Sequence, residues 1–589
     1  MAGGCRAART ARRRWPFAVP ALPASPVRRE PGHRGWGPDQ GSRANSLALI
    51  TYGVRHTLIC DRRHAESTDG THTGGIPTVK RQHKLLLVSL ISAALIAAAC
   101  GDSSGGTATA TTAATAATAA GPATTVKNTA SDTGVTETTI KIAIHSADLS
   151  GLVKAGAIKG VPEDAGPSNS KRISYYLDKW NAEGGINGRK FAYENIQWDP
   201  ADPKTYQTSC QKIIDAKVFM VIAAGGGFPP DSTPCIAVDG KTQYMGLDQV
   251  SAKQFKDMGG NFIGLAPPGP AAAQASIEAL VKNATVLPKT AKVAVLTGDF
   301  DFQKEAYTEV DKVLKREGYN IVFSDAIKVA NLATVDQNKN VALTVEKVKA
   351  AGATHVIDMI PFTNFGVFPP EATKAGLSLK YVIIEISSGG CIQFAAGQYP
   401  PEVDGAPCYT HWDNHRLDIN GKKETDTAFE AQCRLDYEAT YKTTPIGSPA
   451  SQFPPVTKSQ PGVPWPGFKD ATGKQLDPDQ PYFECTVMNM VKIGITGAGG
   501  NLTKKTFQEA LFKQKDFDAA GLAGGKGTLS ANKLWLASNV QQVQMTYHAL
   551  TQFADPVDAN GLYGGKCLSP LSCFRTVPNT IAPLTYTLS

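Results

Sequence analysis

This sequence predicts an α/β fold of two doubly wound parallel-sheet lobes in series. Apolar strands alternate with amphipathic helices between Thr139 and Ala224, and the same alternation returns between Ala271 and Ile384. The roughly 450 residues that follow residue 132 also exceed what one hydrophobic core comfortably holds. Strands separated by helices pair in parallel and bury both faces of the sheet, so a lobe of this kind reads as short apolar runs between helices.

The first unit opens with Ile140-Lys141-Ile142-Ala143-Ile144, a strand. Ser170 is placed to cap a helix that presents Ile173, Tyr176, Leu177 and Trp180 on one face, and Gly184-Gly185 stops it. Asn187-Gly188 turns the chain into a strand from Lys190 to Gln197. A helix from Lys204 to Ala216 then leads to the apolar strand Phe219 to Ala224 and three glycines. In the second unit, helices are expected at Ala271 to Val281, Phe302 to Glu317, Val341 to Ala351 and Glu371 to Ala375. Strands are expected at Lys292 to Thr297, Tyr319 to Phe323, His355 to Met359 and Lys380 to Ile384.

Upstream, Lys80 to Lys84 is basic, Leu85 to Ala99 is apolar, and Cys100 follows small residues. That is the order of a secretory signal, and the apolar run is too short to span a bilayer. With a cysteine at the cleavage point, Leu95-Ile96-Ala97-Ala98-Ala99-Cys100 resembles the lipobox of bacterial lipoproteins, although Ala97 stands where leucine is preferred. The resemblance implies acylation of Cys100 and a protein held at the outer face of the cytoplasmic membrane or in the periplasm. Residues 1–78 are rich in Arg, Pro and Gly without hydrophobic periodicity, and are expected to be disordered and to represent an over-extended start. Residues 79–100 form the signal, and 101–133, a Thr/Ala-rich stretch, a flexible tether.

The formal charge of +8 belongs to the leader. Residues 100–589 carry 45 Lys/Arg against 47 Asp/Glu, a net of −2, so nothing points to a nucleic-acid partner. Beyond Cys5, Cys60 and Cys100, eight cysteines remain, an even number that suits disulfides in an exported protein. Nearest-neighbour pairing gives Cys210 with Cys235, Cys391 with Cys408, Cys433 with Cys485, and Cys567 with Cys573. No C-x-x-C pair supports zinc, and neither metal nor cofactor is expected.

Gly134-Val135-Thr136-Glu137-Thr138-Thr139-Ile140-Lys141-Ile142, Asp148-Leu149-Ser150-Gly151 and Asn181-Ala182-Glu183-Gly184-Gly185-Ile186-Asn187-Gly188-Arg189-Lys190 resemble the opening of branched-chain amino-acid-type substrate-binding proteins of ABC transporters. The likeness runs to about Ser388 and returns in Thr486 to Phe512. It implies a type I periplasmic binding fold: lobe 1 over 134–265, lobe 2 over 266–390, and a return mainly to lobe 1 over 391–515 with a Pro-rich insertion at 443–482. Residues 516–589 would then belong mainly to lobe 2. A hinge joins the lobes, and a ligand cleft lies between them.

Candidate ligand residues follow the strands. Gly225 to Gly227 and Phe228 offer backbone N–H groups after an apolar strand, a cradle for a carboxylate; Gly226, Gly227 and Phe228 are the lining candidates. The family usually carries Ser/Thr here, so an ordinary α-amino acid is a poor fit. Phe300 and Phe302 stand where the family commonly has Asp-Tyr-Gly, which implies an aromatic wall; a core role for Phe302 is the competing reading. Glu385 follows a strand where the resemblance implies an acid for a ligand ammonium, against a solvated acid. Ser146 and Asp148 complete the lining.

Catalytic patterns are missing: there is no phosphate-binding or nucleophile-elbow motif, and Gly225 to Gly227 lack dinucleotide spacing. His411 and His415 lack the metalloprotease glutamate and are expected as solvated loop histidines. The sequence thus reads as a monomeric, lipid-anchored solute-binding protein serving ABC permease subunits. The alternative is a receptor domain that reports its ligand to a separate membrane partner.

Overall fold

The computed structural model describes residues 127–588, apart from 155–164, 201, 203, 225–231, 249, 328–334, 387–389, 414–416, 423, 425–426, 442–481, 549–561, 563–564 and 568–571. The expected disordered leader, signal and tether, Cys100, and nearly all of the Pro-rich insertion lie outside the described residues.

The first sheet comprises β1 (Thr139–Ala147), β2 (Lys190–Trp198), β3 (Met220–Ala224), β4 (Gln243–Gly246) and β5 (Phe262–Gly264), all parallel, in the order β2-β1-β3-β4-β5. Every residue of β3 is buried, as a strand covered by helices on both faces requires. The helix Ala165–Ala182 begins before Ser170, so Ser170 is an interior, buried residue and not the cap expected from its type. Asn187 and Gly188 both take positive φ (52° and 75°) in a tight turn closed by Ile186 and Arg189.

The second sheet holds β6 (Lys292–Gly298), β7 (Asn320–Ile327), β8 (His355–Met359), β9 (Lys380–Ile384) and β10 (Pro407–Thr410), parallel and ordered β7-β6-β8-β9-β10. This repeats the order of the first sheet. After a small ribbon of β11 (Phe517–Asp518) and β12 (Lys526–Gly527), β13 (Asn539–Thr546) adds antiparallel to β10. β14 (Cys573–Thr576) and β15 (Ala582–Pro583) both pair with β13.

The chain passes between the lobes at three places that lie side by side. Beyond β5, the Leu536 and Ala537 N–H groups donate to the Gly264 and Leu265 carbonyls at 2.9 and 3.0 Å. Beyond β10, Gln541 of β13 donates through Nε2 to the Trp412 carbonyl at 3.0 Å. Trp412 and Trp535 then pack in the first lobe's core, as do the helices Tyr482–Ala498 and Lys504–Lys513. The eight cysteines pair as 210–235, 391–408, 433–485 and 567–573.

Arg189 fastens the returning segment to the start of the chain. Fully buried, it donates to four carbonyls: Nε to Thr136 at 2.8 Å, Nη1 to Gly499 at 3.2 Å, and Nη2 to Thr129 at 3.0 Å and Gly500 at 2.6 Å. The Arg172–Glu484 ion pair at 3.1 Å, also buried, ties helix Ala165–Ala182 to helix Tyr482–Ala498.

Candidate functional site

In a doubly wound sheet the crevice forms at the carboxyl ends of the strands, where connections leave the central strand in opposite directions. Here those switch points fall between β1 and β3 in the first lobe and between β6 and β8 in the second.

At the first, β1 ends in His145-Ser146-Ala147 and Asp148 follows it. His145 and Ser146 alternate across the sheet. His145 is buried against Trp198 and Tyr244, with Nε2 3.1 Å from the Ser209 hydroxyl, and burial lowers its pKa to about 4, so the ring is neutral. Ser146 sits opposite Ala224, the last described residue of β3. It is 1% exposed, and among the described residues its hydroxyl has no hydrogen-bond partner. Asp148 is half-buried; its Oδ1 accepts from the Ser150 N–H at 3.0 Å, opening the helix Ser150–Lys154. Gly226, Gly227 and Phe228 lie outside the described residues. One further acid belongs to this edge: Asp248, buried just past β4, where burial, reinforced by Asp248, raises the pKa of the Tyr244 hydroxyl.

At the second switch point, Thr297 of β6 lies in register with Met359 of β8. The fully buried Gln303 side chain fills this place. Its Nε2 donates to the Met359 carbonyl at 3.2 Å and its Oε1 accepts from the Phe300 N–H at 3.4 Å, while the Gln303 backbone carbonyl accepts from the Thr297 hydroxyl at 3.2 Å. Gly298 is required here, because a Cβ would run into the Gln303 amide. Phe300 is half-buried and stacks on Phe302, with ring centroids 5.9 Å apart and planes 10° from parallel. Phe302 itself belongs to the core between the sheet and the helix Gly269–Leu280.

Glu385 follows β9 and is 1% exposed, so it is not a solvated strand-end acid. Its Oε2 accepts from the Cys391 N–H at 2.7 Å. His411, expected as a solvated loop residue, is fully buried at the end of β10, its ring 4.3 Å from that of Trp412. Among the described residues neither ring nitrogen has a partner, and burial lowers its pKa to about 3. The difference arises because 411–413 forms one of the three crossings, which the sequence pattern does not mark. His415 lies outside the described residues. Among the described residues no group of three or more His, Cys, Asp or Glu is placed to hold a metal, and no helix is long and apolar enough to cross a membrane.

These two sheets, each ordered 2-1-3-4-5 and linked by three adjacent crossings, form a type I periplasmic binding fold. Residues 153–448 match the model of the periplasmic binding protein family, and the chain belongs to that family, a solute-binding family and not one of enzymes. No curated protein matches the sequence. Among solved structures, a solute-binding protein of an ABC transporter from Rhodopseudomonas palustris BisB5 in complex with 3,4-dihydroxybenzoic acid is similar at 14% identity and a TM-score of 0.45, over 69% of this chain and 93% of that one. A branched-chain amino-acid ABC transporter protein from Thermus thermophilus with bound valine is similar at 12% identity and 0.47, over 76% and 96%. A leucine-, isoleucine-, valine-, threonine- and alanine-binding protein from Brucella ovis, in a closed conformation, is similar at 12% identity and 0.46, over 74% and 99%.

Proposed function

We propose that this chain is the extracytoplasmic receptor of an ABC importer, anchored through acylated Cys100, that closes its two lobes on a small solute and presents it to the permease. One observation supports the location of the site: the Ser146 hydroxyl, buried and without a partner among the described residues, at the switch point of the first sheet. A buried hydroxyl that lacks a hydrogen bond costs about 1–3 kcal/mol, a cost that a bound polar group removes. Facing it in function is the Phe300 edge of the second lobe, which supplies an aromatic surface.

This combination favours a small carboxylate with an apolar or aromatic body over an ordinary α-amino acid. The backbone N–H groups of Gly226, Gly227 and Phe228 take the carboxylate, the Ser146 hydroxyl adds a hydrogen bond, Asp148 borders the entrance, and Phe300 stacked on Phe302 packs the body. A ligand shifts a hinge equilibrium only through differential contact with the closed state, so contacts from both lobes are required.

The test is a thermal-denaturation screen over amino acids, amides, short carboxylates and aromatic acids. A solute at about 100 times its dissociation constant stabilises by about 2.7 kcal/mol. Stabilisation by an aromatic or short carboxylic acid, weakened in Ser146→Ala, is expected. Stabilisation by amino acids alone would replace the carboxylate reading with an amino-acid one, and stabilisation by none of the four classes would remove the transport reading.

A further inference from the structure

Two helices, one from each lobe, begin on the cleft side of their sheets. Helix Ala252–Met258 starts six residues past the end of β4, and helix Asp301–Arg316 starts three residues past the end of β6. In parallel sheets wound this way the helices that follow strands start at the carboxyl edge, which is the edge each lobe turns toward the other. A helix start also leaves N–H groups without an acceptor in their own helix. In the first lobe a capping box satisfies two of them: Ser251 Oγ accepts from the Gln254 N–H at 3.0 Å, and Gln254 Oε1 accepts from the Ser251 N–H at 2.8 Å. The Ala252 N–H, between them, finds its acceptor in the other lobe. It donates to Glu305 Oε2 of helix Asp301–Arg316 at 2.6 Å.

Two further groups meet Glu305 from the first lobe's side. The Lys253 ammonium is held chiefly by Asp257 and also feels Asp301 and Glu305, and all three acids raise its pKa. Tyr586 has its pKa raised by burial, then by Glu309 and Glu305. It arrives on the C-terminal segment, which runs along the third crossing: β15 pairs with Asn539 and Val540, the Leu584 N–H donates to the Ser538 carbonyl at 2.9 Å, and Tyr586 and Leu588 pack on the first lobe's core. The first crossing ends close by. There the Gly269 N–H donates to the Val250 carbonyl at 3.1 Å, and a Cβ on Gly269 would strike the Phe302 carbonyl. Glu305, itself half-buried, thus joins the lobes beside the segments on which they turn.

We propose that Glu305 is an interlobe latch: a positioning residue whose carboxylate reaches from the second lobe to the Ala252 N–H of the first and biases the hinge toward the arrangement of lobes seen here. The latch rests on the hinge of the solute-binding reading and adds what holds that hinge. A carboxylate that accepts from a backbone N–H makes a stronger hydrogen bond than a neutral acceptor does, and Lys253 favours its charged form. Because a solute moves the hinge only by its differential affinity for the two arrangements, a contact made in one of them sets how much of that affinity closure requires.

Solute-free protein suffices for the test. Spin labels at Lys212→Cys in the first lobe and Thr373→Cys in the second, both exposed positions on helices, report the distance between lobes in a full-length Cys5→Ser, Cys60→Ser, Cys100→Ser background. In Glu305→Ala the ratio of separated to joined lobes is expected to rise about two- to tenfold, as loss of a half-exposed charge-assisted hydrogen bond implies, with faster amide exchange at 250–255. Glu305→Gln keeps a neutral acceptor and should shift the ratio less, in the same direction. Unchanged distances in Glu305→Ala overturn the latch; if exchange at 250–255 still quickens, Glu305 only caps the first lobe's helix. Should a solute from the thermal screen shorten the wild-type distance while Glu305→Ala leaves the solute-free distance alone, the hinge stands and the latch alone falls.

Discussion

Replacing Arg189 with alanine is expected to destabilise the first lobe by about 3–5 kcal/mol, a large share of the roughly 5–15 kcal/mol typical of a folded domain. The guanidinium is fully buried and gives four hydrogen bonds to carbonyls from three segments: 129, 136 and 499–500. A hydrogen bond to a charged group contributes about 1.5–3 kcal/mol, but the four share one side chain and do not add. Their loss also leaves buried carbonyls without donors. Arg189→Lys retains a charge but not the planar fork, and should recover less than half of the loss. Urea denaturation followed by tryptophan fluorescence reads the effect directly, since Trp180 packs on Phe191 beside the site, with ring centroids 5.6 Å apart. A loss under about 1 kcal/mol in Arg189→Ala would refute the fastening role. Unchanged stability with weakened solute binding would move Arg189 into the ligand site.

Three further outcomes are expected. His145 is neutral in the folded state with its pKa lowered to about 4, so folding stability present above pH 6.5 should be lost as pH falls toward 4. That loss amounts to about 3 kcal/mol, and urea midpoints of His145→Gln should lack this segment of the pH profile. Alkylation without reductant followed by mass spectrometry should leave all eight cysteines from Cys210 to Cys573 unlabelled, and labelling at Cys210 or Cys235 would contradict the pairing. Cys100→Ser should release the protein from the membrane fraction or leave it unprocessed, whereas equal retention of mutant and wild type would defeat the lipid anchor.

The strands that could be read from sequence are those whose burial makes them continuously apolar, such as β3 and β8. β13 escaped notice because three glutamines, Gln541, Gln542 and Gln544, interrupt its apolar pattern. Two of these spend their side-chain amides on the Trp412 and Gly405 carbonyls. β4 and β5 are three or four residues long, and only their place in the sheet identifies them.

The stretch Asn181 to Lys190, one of those that carry the family resemblance, turns out to be a structural staple. Asn181 exchanges two hydrogen bonds with the Phe191 backbone, and Gly185 takes positive φ where a Cβ would strike the Arg189 carbonyl. At the candidate site, Ser146 was legible because it stands near the end of an apolar strand. Gln303, Asp248 and His411 were not, because each acquires its place through strands or crossings distant in sequence. Glu385 was visible as an acid after a strand, but its burial and the hydrogen bond that it accepts from the Cys391 N–H were not.

The central claim is that one small solute is held by the carboxyl edges of both sheets at once. Hydrogen–deuterium exchange with a stabilising solute from the thermal screen tests it most directly. Protection is expected together at 143–148 in the first lobe and 297–303 in the second, with slower exchange at the crossings 264–268, 411–413 and 536–539 as the lobes close. Protection confined to one lobe, with the crossings unchanged at saturation, would contradict the account.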